Sequence, residues 1–169
     1  FKAVNGSAVT MTSAAKGSAI VVGTLGSSTL IDQLAKQGKI DARQLKGKTE
    51  KYIITIVDGK LIIAGSDRRG TIYGIYELSR QIGVSPWYYW MDVPVAKHKD
   101  IYVNNGIYTD GEPAVRYRGI FLNDEAPCLT TWVKNTFGTN YGGHKFYEKV
   151  FELLLRLKGL QALQDSQQQ

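Results

Sequence analysis

Two apolar segments joined by an Asp-Gly pair constrain the fold of this chain more than any other feature. Residues 52–57 and 61–64 are rich in β-branched side chains, and Asp58-Gly59 lies between them. A two-residue type I′ turn requires positive φ at both central positions, and Asp-Gly adopts that conformation readily. The pattern therefore predicts an antiparallel hairpin on which the surrounding segments must pack.

Strand and helix signals flank this hairpin. A strand is predicted at residues 18–22, and its continuous apolar residues 20–22 suit a strand that is buried on both faces. A helix follows, with Ser27 or Ser28 as its N-cap and Gly38 at its end, and a second helix is expected at about residues 71–81. We predict a small α/β domain, built as one sheet with helices on one face.

The pattern restarts after a cluster of Asp, Gly, Glu and Pro at residues 110–113, which marks a domain boundary. We therefore assign residues 1–112 to the N-terminal α/β domain. A strand is predicted at residues 115–122 and an amphipathic helix at 144–158, with a long polar loop between them. One strand and one helix leave a strand edge and an apolar helix face uncovered, so this second part is expected to be incomplete.

Composition argues against several classes of protein. The formal net charge is +6, but the basic residues are scattered and form no run typical of a nucleic-acid-binding arm. Cys128 is the single cysteine, and His98 and His144 have no suitably spaced partners, so we expect no disulfide and no metal site. No apolar stretch approaches the roughly 20 residues of a transmembrane helix. We expect no nucleic-acid partner and no membrane span.

Four segments resemble, in order and spacing, the start of glycoside hydrolase family 115, the xylan α-1,2-glucuronidases. They are residues 65–76 (GSDRRGTIYGIY), 84–95 (VSPWYYWMDVPV), 117–127 (YRGIFLNDEAP) and 146–159. The resemblance covers roughly residues 18–159, and it is specific because four separate segments agree.

The resemblance implies a (β/α)8 barrel after the N-terminal domain, with the active site at the carboxyl ends of the barrel strands. Residues 113–159 would then be the first βα unit of an incomplete barrel. Residues 160–169 do not resemble the continuation of the family, and their Gln-rich composition predicts a disordered tail. We therefore expect a fragment that is inactive by itself.

Three polar residues would lie at the carboxyl end of the first barrel strand: Asn123, Asp124 and Glu125. Inverting glycosidases use two carboxyl groups about 6.5–9.5 Å apart. Neighbouring strand residues point in opposite directions, so Asp124 and Glu125 are not expected to form that pair. Glu125 is the candidate catalytic residue, and Asn123 and Asp124 are candidates for substrate binding. Without the resemblance, the same residues would be an ordinary solvated loop edge.

Other features leave alternatives open. The aromatic residues 87–90 suit either a platform for sugar rings or packing against the barrel, and packing is favoured. Arg68 and Arg69 suit either a clamp on a carboxylate, such as an acidic residue of the barrel, or a plain surface role. Residues 23–28 follow a buried strand but lack a phosphate-binding glycine pattern, which favours a simple strand-to-helix turn.

The resemblance implies inverting hydrolysis of the α-1,2 bond that joins glucuronic acid, or its 4-O-methyl ether, to xylan. The partner would be glucuronoxylan or a xylo-oligosaccharide, with no cofactor, and the location periplasmic or extracellular; a homo-oligomer stays open. An alternative is a stand-alone carbohydrate- or protein-binding module derived from the N-terminal domain. A third reading is a remnant without its own function, which the change at Leu160 favours over the module.

Overall fold

The chain folds as two compact units, which we call unit 1 (Phe1–Ala114) and unit 2 (Val115–Gln169). None of the helices in the described part of the chain combines the length and the apolar character that crossing a bilayer requires. The computed structural model describes residues 1–12, 17, 19–123, 127–138 and 143–164.

Unit 1 is built around a mixed sheet with strand order β1-β3-β2-β4. Strand β1 runs parallel to β3, and β2 runs antiparallel to both of its neighbours, β3 and β4. The elements are, in chain order, α1 Lys2–Asn5, β1 Ile20–Thr24, α2 Thr29–Lys36, a 3₁₀ turn Ala42–Gln44, β2 Tyr52–Val57, β3 Lys60–Gly65, α3 Arg68–Gln81 and β4 Ile107–Tyr108.

The predicted hairpin between β2 and β3 is confirmed. Asp58 and Gly59 have φ values of 50° and 72°, as a type I′ turn requires, and Val57 pairs with Lys60 across the turn. The Lys39 ammonium also binds the Asp58 carboxylate and lowers the pKa of that carboxyl. The tip of the hairpin is thereby tied to the segment that follows α2.

The sheet carries helices on both faces, so the prediction of helices on one face is wrong. On one face, Ile62 and Ala64 of β3 belong to the same buried cluster as Ile31 of α2. On the other face, Gly74 of α3 packs against Ile63. Side chains alternate between faces along a strand, so the continuous apolar run in β3 exposes apolar surface on both sides and needs two covers.

Helix α3 lies unusually close to the sheet because glycines occupy its contact positions. A Cβ atom on Gly70 would overlap the carbonyl oxygen of Lys51, and one on Gly65 would overlap the backbone nitrogen of Thr71. A Cβ atom on Gly74 would come within 2.7 Å of a side chain in β3. Much of the segment 65–76 therefore specifies a helix–sheet contact.

The start of α3 is held by carboxylates of unit 1. Asp67 is the N-cap, and its side chain accepts hydrogen bonds from the backbone N–H groups of Gly70 (2.7 Å) and Glu50 (2.8 Å). The Glu50 carboxylate, which is 5% exposed, pairs with Arg69 at 3.1 Å. The carboxylate that Arg69 binds therefore lies within unit 1 and not in a barrel.

The segment that follows β4 is also bound to unit 1. The Thr109 hydroxyl donates to the Tyr52 carbonyl oxygen. The Glu112 carboxylate accepts the Thr49 backbone N–H at 2.8 Å and pairs with the Lys48 ammonium at 2.9 Å. Hydrogen bonds from Lys48 and then Thr49 hold the pKa of Glu112 below its usual value. Hydrogen bonds and an ion pair thus hold the end of unit 1 in place as far as Glu112.

Unit 2 contains a parallel strand–helix–strand unit. Strand β5 is shorter than predicted, and β6 pairs with it in parallel, with Leu122 opposite Gln164. The prediction of a disordered tail is wrong for β6, because the backbone of residues 161–164 pairs with β5. Residues 165–169 lie outside the described residues. The elements are β5 Gly119–Leu122, α4 Cys128–Phe137, α5 His144–Arg156 and β6 Gln161–Gln164.

Helix α4 lies inside the segment that was predicted to be a polar loop. It ends at Gly138, whose φ of 67° is typical of a helix C-cap. Its one fully buried side chain is Val133, and Phe137 meets Phe146 of α5 edge to face at 6.3 Å. The apolar stripe of α4 is narrow, and its polar residues conceal the helical period.

The close approach of α3 predicts that Gly70→Ala destabilises unit 1. We expect a loss of about 1–3 kcal/mol in the free energy of unfolding, because the added methyl group must displace the Lys51 carbonyl. Urea denaturation measures this loss. Gly111→Ala is the matched control: its Cβ would meet open space, and its expected change is below about 0.5 kcal/mol. Equal stability of the two variants would contradict this account.

The lowered pKa of Glu112 predicts an acid-sensitive contribution to the stability of unit 1. The folded-state pKa lies below the unfolded value of 4.5, so the stabilisation is full at neutral pH and is lost as the pH falls through the folded value. Glu112→Gln should lower stability near pH 7 and converge with the native chain in acid. Urea denaturation across pH tests this, with Asp100→Asn as a control without effect. Parallel curves for the native chain and Glu112→Gln would count against it.

Candidate active site

The carboxyl ends of β5 and β6 lie at one edge of their parallel pair. Asn123 follows β5 directly and is exposed at that edge. Ligands of parallel strand–helix folds bind at the carboxyl ends of the strands. Asn123 is therefore exposed at the carboxyl end of β5, and its role in substrate binding stays a prediction.

Asp124 and Glu125 lie outside the described residues. In the chain they stand between the end of β5 at Leu122 and the start of α4 at Cys128. They therefore belong to the connection that leaves the carboxyl end of β5. Substrate binding by Asp124 and catalysis by Glu125 stay predictions.

The amino end of β5 is anchored by Arg118, a residue to which the sequence alone assigned no role. Its Nε donates to the carbonyl oxygen of Lys158 at 2.8 Å, and its Nη1 donates to that of Val115. The Arg118 carbonyl oxygen accepts the Leu160 N–H at 2.7 Å. These bonds fix the turn from α5 into β6. The position of an arginine directly before an apolar strand was the sequence signal that could have revealed the role of Arg118.

Helix α5 supplies the apolar cover of unit 2. Its fully or nearly fully buried side chains are Phe146, Val150, Leu153 and Leu154, whereas Phe151 is 51% exposed. Gly159 then lets the chain turn tightly, since a Cβ atom there would come within 2.8 Å of Leu154 Cδ2. The helix and the turn together determine where β6 starts beside β5.

The aromatic residues 87–90 form a turn after α3. The Tyr88 N–H donates to the Ser85 carbonyl oxygen at 3.1 Å, and the rings of Tyr89 and Trp90 meet edge to face at 5.4 Å. Three of the four rings are half-buried, and Trp87 is the most accessible, at 38%. Trp87 is therefore the ring of this run that is most open to a ligand.

The backbone N–H groups of the turn after β1 are already hydrogen-bonded within unit 1. The N–H groups of Ser27 and Ser28 donate to the Thr24 carbonyl oxygen at 3.1 and 2.9 Å. The Gly26 N–H donates to the Asp32 carboxylate at 2.7 Å. Amides that are already bonded cannot cradle a phosphate, so the structure agrees with a simple strand-to-helix turn.

The histidines and the cysteine have no part in a metal site that the structure describes. Within the described ranges, no group of three or more His, Cys, Asp or Glu residues is placed to hold an ion. The backbone N–H of His98 donates to the Val4 carbonyl oxygen at 3.0 Å, at the end of α1. Cys128 is the exposed first residue of α4.

Comparisons with known proteins agree with the resemblance in the sequence. Residues 110–162 match glycosyl hydrolase family 115. A solved structure of a family GH115 4-O-methyl-α-glucuronidase with specificity for decorated arabinogalactans is 40% identical, with a TM-score of 0.77. That match covers 86% of this chain and 19% of the solved one. None of the curated proteins matches. The chain belongs to glycosyl hydrolase family 115.

The anchor at the amino end of β5 predicts that Arg118→Ala loosens unit 2. We expect a loss of about 1–3 kcal/mol, because the Lys158 and Val115 carbonyl oxygens lose a charged donor. Hydrogen exchange at the Leu160 amide should accelerate accordingly. Arg116→Ala removes the same charge two residues away, where the guanidinium packs on the Tyr117 ring, and should change exchange little. Equal acceleration in both variants would remove the assigned role of Arg118.

Proposed function

We propose that this chain supplies the N-terminal α/β domain and the first strands of a (β/α)8 barrel in an α-glucuronidase. The supporting observation is the parallel pair β5 and β6, joined through α5; the part of the chain that matches the family contains β5 and α5 and ends within β6. Strand β6 would be the second strand of the barrel. The match spans 19% of the length of the solved relative, so the remaining strand ends would come from elsewhere.

The proposed reaction is inverting hydrolysis of the α-1,2 bond of a glucuronic acid or 4-O-methylglucuronic acid branch. Glu125 would serve as one of the two carboxyl groups, protonating the leaving oxygen or activating water. Asn123 and Asp124 would hydrogen-bond the sugar. The second catalytic carboxyl would come from the end of another strand, because barrel active sites draw their residues from several strand ends.

Two polysaccharides carry this sugar acid as candidate substrates. The sequence resemblance favours glucuronoxylan or its oligosaccharides, whereas the solved relative is described as specific for decorated arabinogalactans. We propose that the released sugar acid is the same in both cases and that glucuronoxylan is the polymer. Polymers of this size are met outside the cytoplasm, which supports a periplasmic or extracellular location.

A binding module is the second candidate function. The supporting observation is that unit 1 has its own buried cluster of side chains and an accessible Trp87. A module of this kind would bind a glycan with the 169-residue chain alone and without cleaving it. Retardation in an affinity gel that contains xylan, and its loss in Trp87→Ala, would favour the module.

Catalysis is tested in a chimera in which this chain replaces the matching part of the 40% identical relative. The chimera should release uronic acid from a decorated arabinogalactan, the polymer for which the relative is described as specific, with the anomeric configuration inverted, as followed by NMR. Glu125→Gln should reduce the rate about 100- to 10,000-fold, as expected for loss of a general acid or base. The control Glu148→Gln, on the exposed face of α5, should not reduce it.

The 169-residue chain alone should release no uronic acid, since barrel active sites draw residues from many strand ends. Release of uronic acid by the chain alone would refute the proposal that the active site needs further barrel strands. An unchanged rate in Glu125→Gln would remove the proposed role of that residue.

A further inference from the structure

We propose that unit 1 contains a binding site for a carboxylate-bearing monosaccharide, a hexuronic acid, in a cleft of about 390 Å³ at the carboxyl ends of β1 and β3. The cleft is lined by Leu25 and Gly26 after β1, by Lys36 of α2, by Lys46, and by Ser66 after β3. We call it the lysine cleft. It goes beyond the proposed function, because the proposed catalytic edge belongs to unit 2.

The topology of the sheet favours a ligand at this position. Strands β1 and β3 are parallel neighbours, and the chain leaves β1 for α2 on one face and β3 for α3 on the other. Connections that diverge to opposite faces open a crevice at the carboxyl ends of the strands, where ligands of open α/β sheets bind. Leu25 and Ser66, which directly follow β1 and β3, line the cleft at this edge, and residues of α2 and of the segment 42–47 line the rest of it.

The charges in the cleft favour an anion. No ion pair or side-chain hydrogen bond joins Lys36 or Lys46 to another residue in the described ranges, whereas the nearby Lys39 and Lys48 pair with carboxylates. Two ammonium groups that line one cleft repel each other, and a bound anion relieves that repulsion. The only carboxylate lining the cleft is that of Asp32, which already accepts the Gly26 N–H.

The remaining groups favour a sugar carboxylate over a phosphate. Phosphate sites of this topology use free backbone N–H groups of the turn, and here that of Gly26 is bonded to Asp32. No arginine lines the cleft. The Ser66 hydroxyl accepts the Lys51 N–H at 3.0 Å and can still donate to a sugar, while Asp32 can accept from sugar hydroxyls.

The dimensions of the cleft agree with a single sugar ring. A volume of about 390 Å³ lies at the small end of the roughly 300–1,000 Å³ range of ligand pockets. Leu25 and Ala35 offer apolar surface to the ring, and the two lysines offer donors to its carboxylate. The site therefore recognises a uronic acid by its charge and by its hydroxyl groups together.

Titration of the 169-residue chain with sodium glucuronate, followed by amide NMR, tests this site. We expect saturable shifts at Gly26, Gly47 and Ser66, weakened by added salt because exposed charges are screened. Neutral glucose, the matched ligand without the charge, should produce none. The double variant Lys36→Gln/Lys46→Gln should lose about tenfold or more in affinity.

The matched control is Lys2→Gln/Lys99→Gln, which removes the same charge from exposed positions that do not line the cleft. It should bind glucuronate like the native chain, and circular dichroism confirms that both variants fold. The assignment would be overturned if the shifts did not saturate, or if glucose bound as well as glucuronate. It would also be overturned if both double variants lost the same affinity for glucuronate, or if inorganic phosphate caused equal shifts. None of these outcomes depends on hydrolysis, so failure here is distinct from failure of the proposed catalytic function.

Discussion

The close contact of α3 with the central strands is the constraint on which unit 1 depends. Without side chains at Gly65 and Gly70, the backbones of helix and sheet approach until Asp67 can bond the N–H groups of both Gly70 and Glu50. The same approach brings the Thr71 hydroxyl within 2.7 Å of the hydroxyl of Thr24 at the end of β1. A single helix thus ties together β1, β3 and the segment before β2.

Placing α3 on one face of the sheet leaves the opposite face to α2. This arrangement covers both sides of β3, and α2 also lines the lysine cleft together with the segment 42–47. In unit 2 the parallel pair of β5 and β6 brings two carboxyl ends to one edge, and Arg118 fixes the opposite edge. Both units therefore place polar groups at the carboxyl ends of parallel strands, for the same geometric reason.

Sequence reasoning succeeded where the signal is local. The Asp58-Gly59 turn depends on two φ angles, and the family signature depends on the order of short segments. It failed for α4, whose narrow apolar stripe has Val133 as its one fully buried side chain, and for β6, whose pairing with β5 bridges about 40 residues of chain. The carboxyl end of β5 illustrates both outcomes. Residues 123–125 stand out in the sequence, whereas the pairing of β6 beside β5 was not predicted.

The sequence by itself determined the hairpin turn and the start of α2 after Ser28, because turn geometry and capping are decided within a few residues. The order of its short segments determined the family. Only the tertiary structure decided that helices cover both faces, that Arg69 pairs with Glu50, and that β6 lies beside β5. These outcomes depend on which distant surfaces meet, and that choice balances burial against the entropy of closing long loops.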